Sequence, residues 1–163
     1  MVDATTIIDY DYAEFLSGIN QIATNIDNSG WNPDFIVGIV RGGAVPAVYL
    51  SHKLKIPVQM VHWNTRDDTE WGNESNAWIP EEIYGGANVL IVDDIVDGGD
   101  TIRELIQDWL TSIGGLEDNI RIIDNIRVAA MIYNTSQDVT VDFYHKTIDR
   151  NIDQRWVIFP WEA

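Results

Sequence analysis

VLIVDDIVDGGDT, residues 89–101, is the stretch from which the rest of this chain can be read. Its first four residues form a short apolar run rich in β-branched side chains, the pattern of a strand buried on both faces. That run is expected to end at Asp93 and Asp94. Two apolar residues follow, then Asp97, Gly98, Gly99, Asp100 and Thr101, and then residues 102–110 with the spacing of an amphipathic helix. Strand, acidic pair, glycine turn and helix start together suit a phosphorylated sugar. Glycine lets the backbone approach a phosphate closely, and the free N–H groups of a first helical turn point at it. Thr101 with Glu104 fits a capping box and marks the expected start of the helix. Asp93 and Asp94 fall at the carboxyl end of the strand, where open α/β sheets place their ligands. Carboxylates there accept hydrogen bonds from sugar hydroxyls or hold a metal indirectly.

Other loops share parts of this pattern. A P-loop NTPase also has an apolar strand ending in acid, but it needs GxxxxGK[ST], which this sequence lacks. A calcium loop needs DxDxDG, a Glu at its twelfth position and a helix before it. A turn that only caps a helix does not account for Asp93, Asp94 and Asp97 beside two glycines. The whole stretch closely resembles the motif by which type I phosphoribosyltransferases bind 5-phosphoribosyl-1-pyrophosphate (PRPP). That family usually carries Thr or Ser where this chain has Gly98, so one hydroxyl toward the 5′-phosphate is missing while the backbone donors remain. The resemblance implies an α/β fold with a central, mostly parallel sheet flanked by helices, a flexible hood and a C-terminal base-binding flap.

The same logic appears earlier in the chain. Residues 35–40 (FIVGIV) read as a buried strand that runs into Arg41, Gly42 and Gly43, and residues 44–54 read as a helix. Arg41 adds a bidentate positive charge to the donors of that turn. Alone the Arg-Gly-Gly turn is weak evidence; beside residues 89–101 it is similar to the family's pyrophosphate-binding turn. Upstream, residues 10–26 carry apolar side chains at helical spacing, and Asn28-Ser29-Gly30 should end that helix. Residues 57–63 read as a third strand. Residues 64–86 are polar and without clear periodicity, either an ordinary hairpin or, as the resemblance implies, the hood. Arg66 is the basic residue to watch there for phosphate contact. Gly114 and Gly115 should end the helix after the central motif, with strands at 127–133 and, shorter, 139–144. Strands alternating with helices predict a parallel sheet covered on both faces.

The tail, residues 156–162 (WVIFPWE), either seals the core or forms a flap on which Trp156 stacks against a flat heterocycle. It is similar to the tail of the small xanthine/guanine/hypoxanthine phosphoribosyltransferases. In those enzymes the matching Trp stacks on the purine, so the resemblance assigns Trp156, and the main chain at Val157, to the base. The same enzymes have a Lys near the purine's 6-oxo group where this chain has Asn134, which could donate to an oxygen or accept from an amino group. The base preferred is therefore left open by the sequence.

At 163 residues one domain, 1–163, is expected. Ten basic residues against 26 acidic give a net charge of −16, which disfavours a nucleic-acid or anionic-membrane partner. There is no cysteine, so thiol catalysis and disulfides are excluded. The first residues lack the apolar run of a signal peptide, and no run approaches the ~18 residues of a membrane helix, so a soluble, cytoplasmic protein is expected. His52, His62 and His145 show no metal-ligand spacing, and Ser51, Ser75 and Ser112 lie outside any nucleophile elbow.

The resemblance implies a Mg²⁺-dependent enzyme of purine salvage that moves the phosphoribosyl group of PRPP onto a 6-oxopurine. In it Arg41, Gly42 and Gly43 bind pyrophosphate. Asp93 and Asp94 hold ribose hydroxyls, or the metal through those hydroxyls or water. Residues 97–101 hold the 5′-phosphate, and Asp97 serves as general base. It also implies a homodimer or larger homo-oligomer. The alternatives are a phosphoribosyltransferase for another base, and a PRPP- or nucleotide-sensing protein of the same fold without catalysis.

Overall fold

A computed structural model describes residues 6–65, 72–113 and 122–162. Two of the stretches read above lie outside them: Arg66 in the polar segment, and Gly114-Gly115. In chain order the elements are β1 (Ile7–Asp9), α1 (Tyr12–Ser29), β2 (Phe35–Val40), α2 (Ala44–Leu54) and β3 (Val58–His62). Then come α3 (Trp78–Tyr84), β4 (Val89–Val96), α4 (Asp100–Ile113), β5 (Ile126–Asn134), β6 (Phe143–Ile148) and β7 (Trp156–Ile158).

Five strands form one sheet in the order β3-β2-β4-β5-β6, and every neighbouring pair is parallel. Side chains alternate across a strand, so consecutive residues feed opposite faces. Ile36 and Leu90 join the core under α1 and α2, with Phe15, Ile22 and Leu50. Val37 and Ile91 join the core under α3 and α4, with Ile83, Leu105 and Trp109. Both faces are thus dry, which is why β2 and β4 read as continuous apolar runs rather than as alternation.

Local signals set the element ends. Asp11 caps α1, accepting from the Glu14 N–H at 2.8 Å, and Gly30 closes it in the left-handed region at φ 72°. Three expectations need correction. β4 does not stop at Val92: it continues through both aspartates to Val96, because β5 lies beside it and pairs Asp93 with Ala130 and Ile95 with Ile132. α4 begins at Asp100 rather than after Thr101, so Thr101 lies inside the first turn and makes no capping bond among the described residues. The last strand of the large sheet is Phe143–Ile148, shifted from 139–144, and Val139 instead packs on the turn at Gly99. The described residues of the polar segment include helix α3, and Glu74 forms an antiparallel bridge with His62.

β1 and β7 form a separate parallel pair in which Ile7, Ile8 and Asp9 lie opposite Trp156, Val157 and Ile158. Val157 and Phe159 are buried, and Phe159 stacks on Trp161 at 5.0 Å between ring centres. The tail therefore seals the core, while Trp156 stays outside it at 57% exposure.

Candidate active site

The sheet order places a crevice between β2 and β4. The chain leaves β2 through α2 toward β3 on one side, and leaves β4 through α4 toward β5 on the other. That is a topological switch point, and ligands of open α/β sheets sit beyond the carboxyl ends of the strands there. Both sequence-predicted loops begin at this place.

The Arg41-Gly42-Gly43 turn lies directly on β4, against Val92, Asp93 and Asp94. A Cβ on Gly42 would fall 2.2 Å from Asp94 Oδ2, and one on Gly43 would fall 2.3 Å from the Val92 carbonyl oxygen. No side chain fits at either position. The peptide between Val40 and Arg41 is cis, and Gly43 leads into α2. Arg41 is exposed and has no ion pair among the described residues.

Asp93 and Asp94 sit below this turn. Asp93 Oδ1 accepts from the Asp94 N–H at 3.0 Å, and Asp94 Oδ1 accepts from the Ile95 N–H at 2.7 Å. Burial, with the neighbouring Asp94 charge second, holds the Asp93 carboxyl well above the ordinary carboxylate range. Burial also raises Asp94 to about 6, against the Ile95 N–H, and the Glu162 carboxylate of the tail adds to the rise. The site is therefore a desolvated acidic floor that favours whatever neutralises it.

In the loop after β4, Gly99 adopts φ 78°, and a Cβ there would meet Val139 at 2.8 Å, so glycine is required on both counts. Arg103, one turn into α4, folds back on the loop. Its Nη2 donates to the Gly98 carbonyl at 2.9 Å and to Asp100 Oδ1 at 2.5 Å. This pair offsets the charge that Asp100 brings to a loop read as anion-binding. Sequence reasoning did not single out Arg103, although its i,i+3 spacing from Asp100 is the usual signal for such a pair.

Asn134, read as a base contact, is placed otherwise. It is 1% exposed, and its Nδ2 donates to Asp97 Oδ1 at 3.0 Å and to the Asp97 carbonyl at 3.2 Å. Its Oδ1 accepts from Ser136 N, Ser136 Oγ and Arg150 N. Both halves of the amide are occupied within the protein. Arg150, also not foreseen, donates from Nε to Asp97 Oδ2 at 3.1 Å. Two of the three histidines have structural partners, His145 with the Tyr10 hydroxyl and His62 with the Gly72 carbonyl. No group of three or more His, Cys, Asp or Glu able to hold a metal exists among the described residues, and no described helix is long and apolar enough to cross a membrane.

Comparison with known proteins agrees with this geometry. The family model "Phosphoribosyl transferase domain" matches residues 10–163. A xanthine-guanine phosphoribosyltransferase of Cereibacter sphaeroides is 29% identical over 143 residues, covering 83% of this chain and 72% of that protein. The purine phosphoribosyltransferase of Pyrococcus horikoshii superposes with a TM-score of 0.68 at 23% identity, covering 97% of this chain and 95% of the other. A hypothetical protein of Neisseria gonorrhoeae with bound ppGpp superposes with a TM-score of 0.72 at 24% identity, covering 97% and 90%. With a glycine turn after each of the two strands that flank the switch point of a parallel sheet and the family model spanning nearly its whole length, this chain belongs to the phosphoribosyl transferase domain family.

Proposed function

We propose that this chain is a purine phosphoribosyltransferase of a single domain, moving the phosphoribosyl group of PRPP to a ring nitrogen of a 6-oxopurine. The observation that carries the reading is the apposition of the Arg41-Gly42-Gly43 turn to the Asp94 carboxylate at the switch point. It puts anion donors beside hydroxyl acceptors, as a pyrophosphate next to a ribose requires. Arg41 and the N–H groups of its turn take the pyrophosphate. Asp93 and Asp94 take the ribose hydroxyls. The loop from Asp97 through Gly98, Gly99 and Asp100 to Thr101 takes the 5′-phosphate. Trp156 lies against the base, and the Val157 main chain borders its edge.

In the reaction the bond from the anomeric carbon to pyrophosphate oxygen breaks, and the oxygen keeps the electron pair. A bond from the purine nitrogen forms, and Asp97 receives the proton that nitrogen loses. Held reactants and fixed donors at the leaving group supply the rate. Two adjacent carboxylates without a third ligand suit Mg²⁺, which keeps several waters and takes further oxygens from substrate phosphates. Bound there, the ion would neutralise the leaving group. A place in purine salvage, a cytoplasmic location and a homo-oligomer belong to the same proposal by family resemblance.

The test is pyrophosphate release and nucleotide formation with PRPP, Mg²⁺ and xanthine, guanine, hypoxanthine, adenine, uracil or orotate. Turnover of a 6-oxopurine is expected. Turnover of another base alone would keep the reaction class and overturn the purine assignment. PRPP binding without turnover of any base would favour a sensing protein, a reading to which the ppGpp-bound neighbour of the same fold lends weight. Gly42→Ala is expected to force the turn off β4, at about 1–3 kcal/mol of stability and at least tenfold in PRPP affinity. Calorimetry on the variant would show this; unchanged affinity would mean that the turn is not a ligand contact.

A further inference from the structure

We infer that Arg150 is the specificity-determining residue of the base site, selecting a heterocycle that presents an oxygen over one that presents an amino group. The inference rests on the reading above that the base lies between Asp97 and Trp156.

One residue ties these two together. The Arg150 N–H donates to Asn134 Oδ1 at 3.2 Å, and its Nε donates to Asp97 Oδ2 at 3.1 Å. From the same guanidinium, Nη1 donates to the carbonyls of Arg155 at 2.5 Å and Asp153 at 3.5 Å, in the segment that leads into Trp156. Little apolar packing holds that segment in place: Ile152 is 84% exposed. Its position relative to Asp97 is set by the guanidinium, together with the Asp149 carbonyl that accepts from the Ile152 and Asp153 N–H groups.

The donor inventory then limits what can bind. The Arg150 side chain is 18% exposed and that of Asp97 41%, so both keep an open face. Among the described residues Arg150 is the one cation within hydrogen-bond distance of the Asp97 carboxylate. Its Nη2 has no acceptor among those residues, and a guanidinium can only donate. With Asn134 buried and engaged, Nη2 is the donor of the guanidinium bonded to Asp97 that has no protein acceptor among the described residues. It pairs with an oxo group and leaves an amino group facing a donor, and sites built on such a bond discriminate strongly against the analogue that cannot complete it.

Inosine and adenosine monophosphates present opposite edges there, a 6-oxo group beside an N1–H against a 6-amino group beside a bare N1, and can be measured by calorimetry without turnover. The wild-type protein is expected to bind the oxo nucleotide at least tenfold more tightly. Arg150→Met should cut that ratio to below about threefold, and Arg150→Lys should restore part of it. A wild-type ratio near one, or a ratio unchanged in Arg150→Met, overturns the proposal even if base turnover confirms the activity. A ratio that collapses in the variant sustains it even if no base is turned over. Should Arg150→Met fold poorly, Arg150→Lys decides alone: a ratio equal to that of the wild type overturns the proposal, and a reduced ratio at an unchanged melting temperature sustains it.

Discussion

Asp97→Asn should lower kcat by about 10²–10⁴, the usual contribution of a general base, while PRPP affinity stays within about twofold. The substitution keeps the shape of the side chain, but its hydrogen bonds cannot all survive. Asp97 Oδ1 accepts from Asn134 Nδ2, and Asp97 Oδ2 accepts from Arg150 Nε. An asparagine must turn its NH₂ toward one of these donors. Asn134 cannot flip in compensation, since its own oxygen serves Ser136 and Arg150. A stability loss of about 1–3 kcal/mol should therefore accompany the kinetic loss. Initial rates and thermal melting on one preparation separate the two effects. A kcat equal to that of the wild type would remove Asp97 from the proton transfer.

Asp94→Asn should do the opposite to stability. In the folded protein Asp94 ionises at about 6, against 3.8 as the ordinary value, with burial as the leading cause. A carboxyl raised in this way stabilises the fold while protonated, so its contribution is complete below pH 3.8 and is lost as pH rises through 6. At pH 7.5 the ligand-free protein then carries a penalty on the order of 3 kcal/mol at this one residue. Asparagine keeps an oxygen for the Ile95 N–H and has no charge to desolvate. The expected result is a melting temperature several degrees higher at pH 7.5, a difference that narrows toward pH 4, and a loss of PRPP affinity of at least tenfold. A variant less stable than wild type at pH 7.5 would contradict this account of the acidic floor.

The contiguous parts of the site were legible in the sequence. Glycine turns after apolar runs carry their conformation in their residue types, so the Arg-Gly-Gly and Asp-Gly-Gly loops could be placed without coordinates. What could not be read was set by contacts between segments distant in sequence. β4 looked finished at Asp93 because carboxylates seldom occupy strands; only the pairing with β5 extends it. The bonds of Asn134 to Asp97 and Ser136 could not be read, because a position at a strand end does not say which way an amide points. Arg150 was missed because nothing in residues 149–155 marks it, and its partner Asp97 lies 53 residues away.

The pairing of β1 with β7 also bears on the order in which the protein takes shape. Ile7 lies opposite Trp156, so this contact closes nearly the longest loop the chain contains. Contacts that close such loops form late, since their entropy cost precedes their reward. The β2-α2 and β4-α4 units, each local, can fold earlier. On the proposed assignment, a folding chain should then be able to hold a phosphate before it can hold a base, with the tail that carries Trp156 the last part to set. Pulse-labelled hydrogen exchange during refolding would detect this order as late protection at Ile8 and Val157, after β4 is already protected.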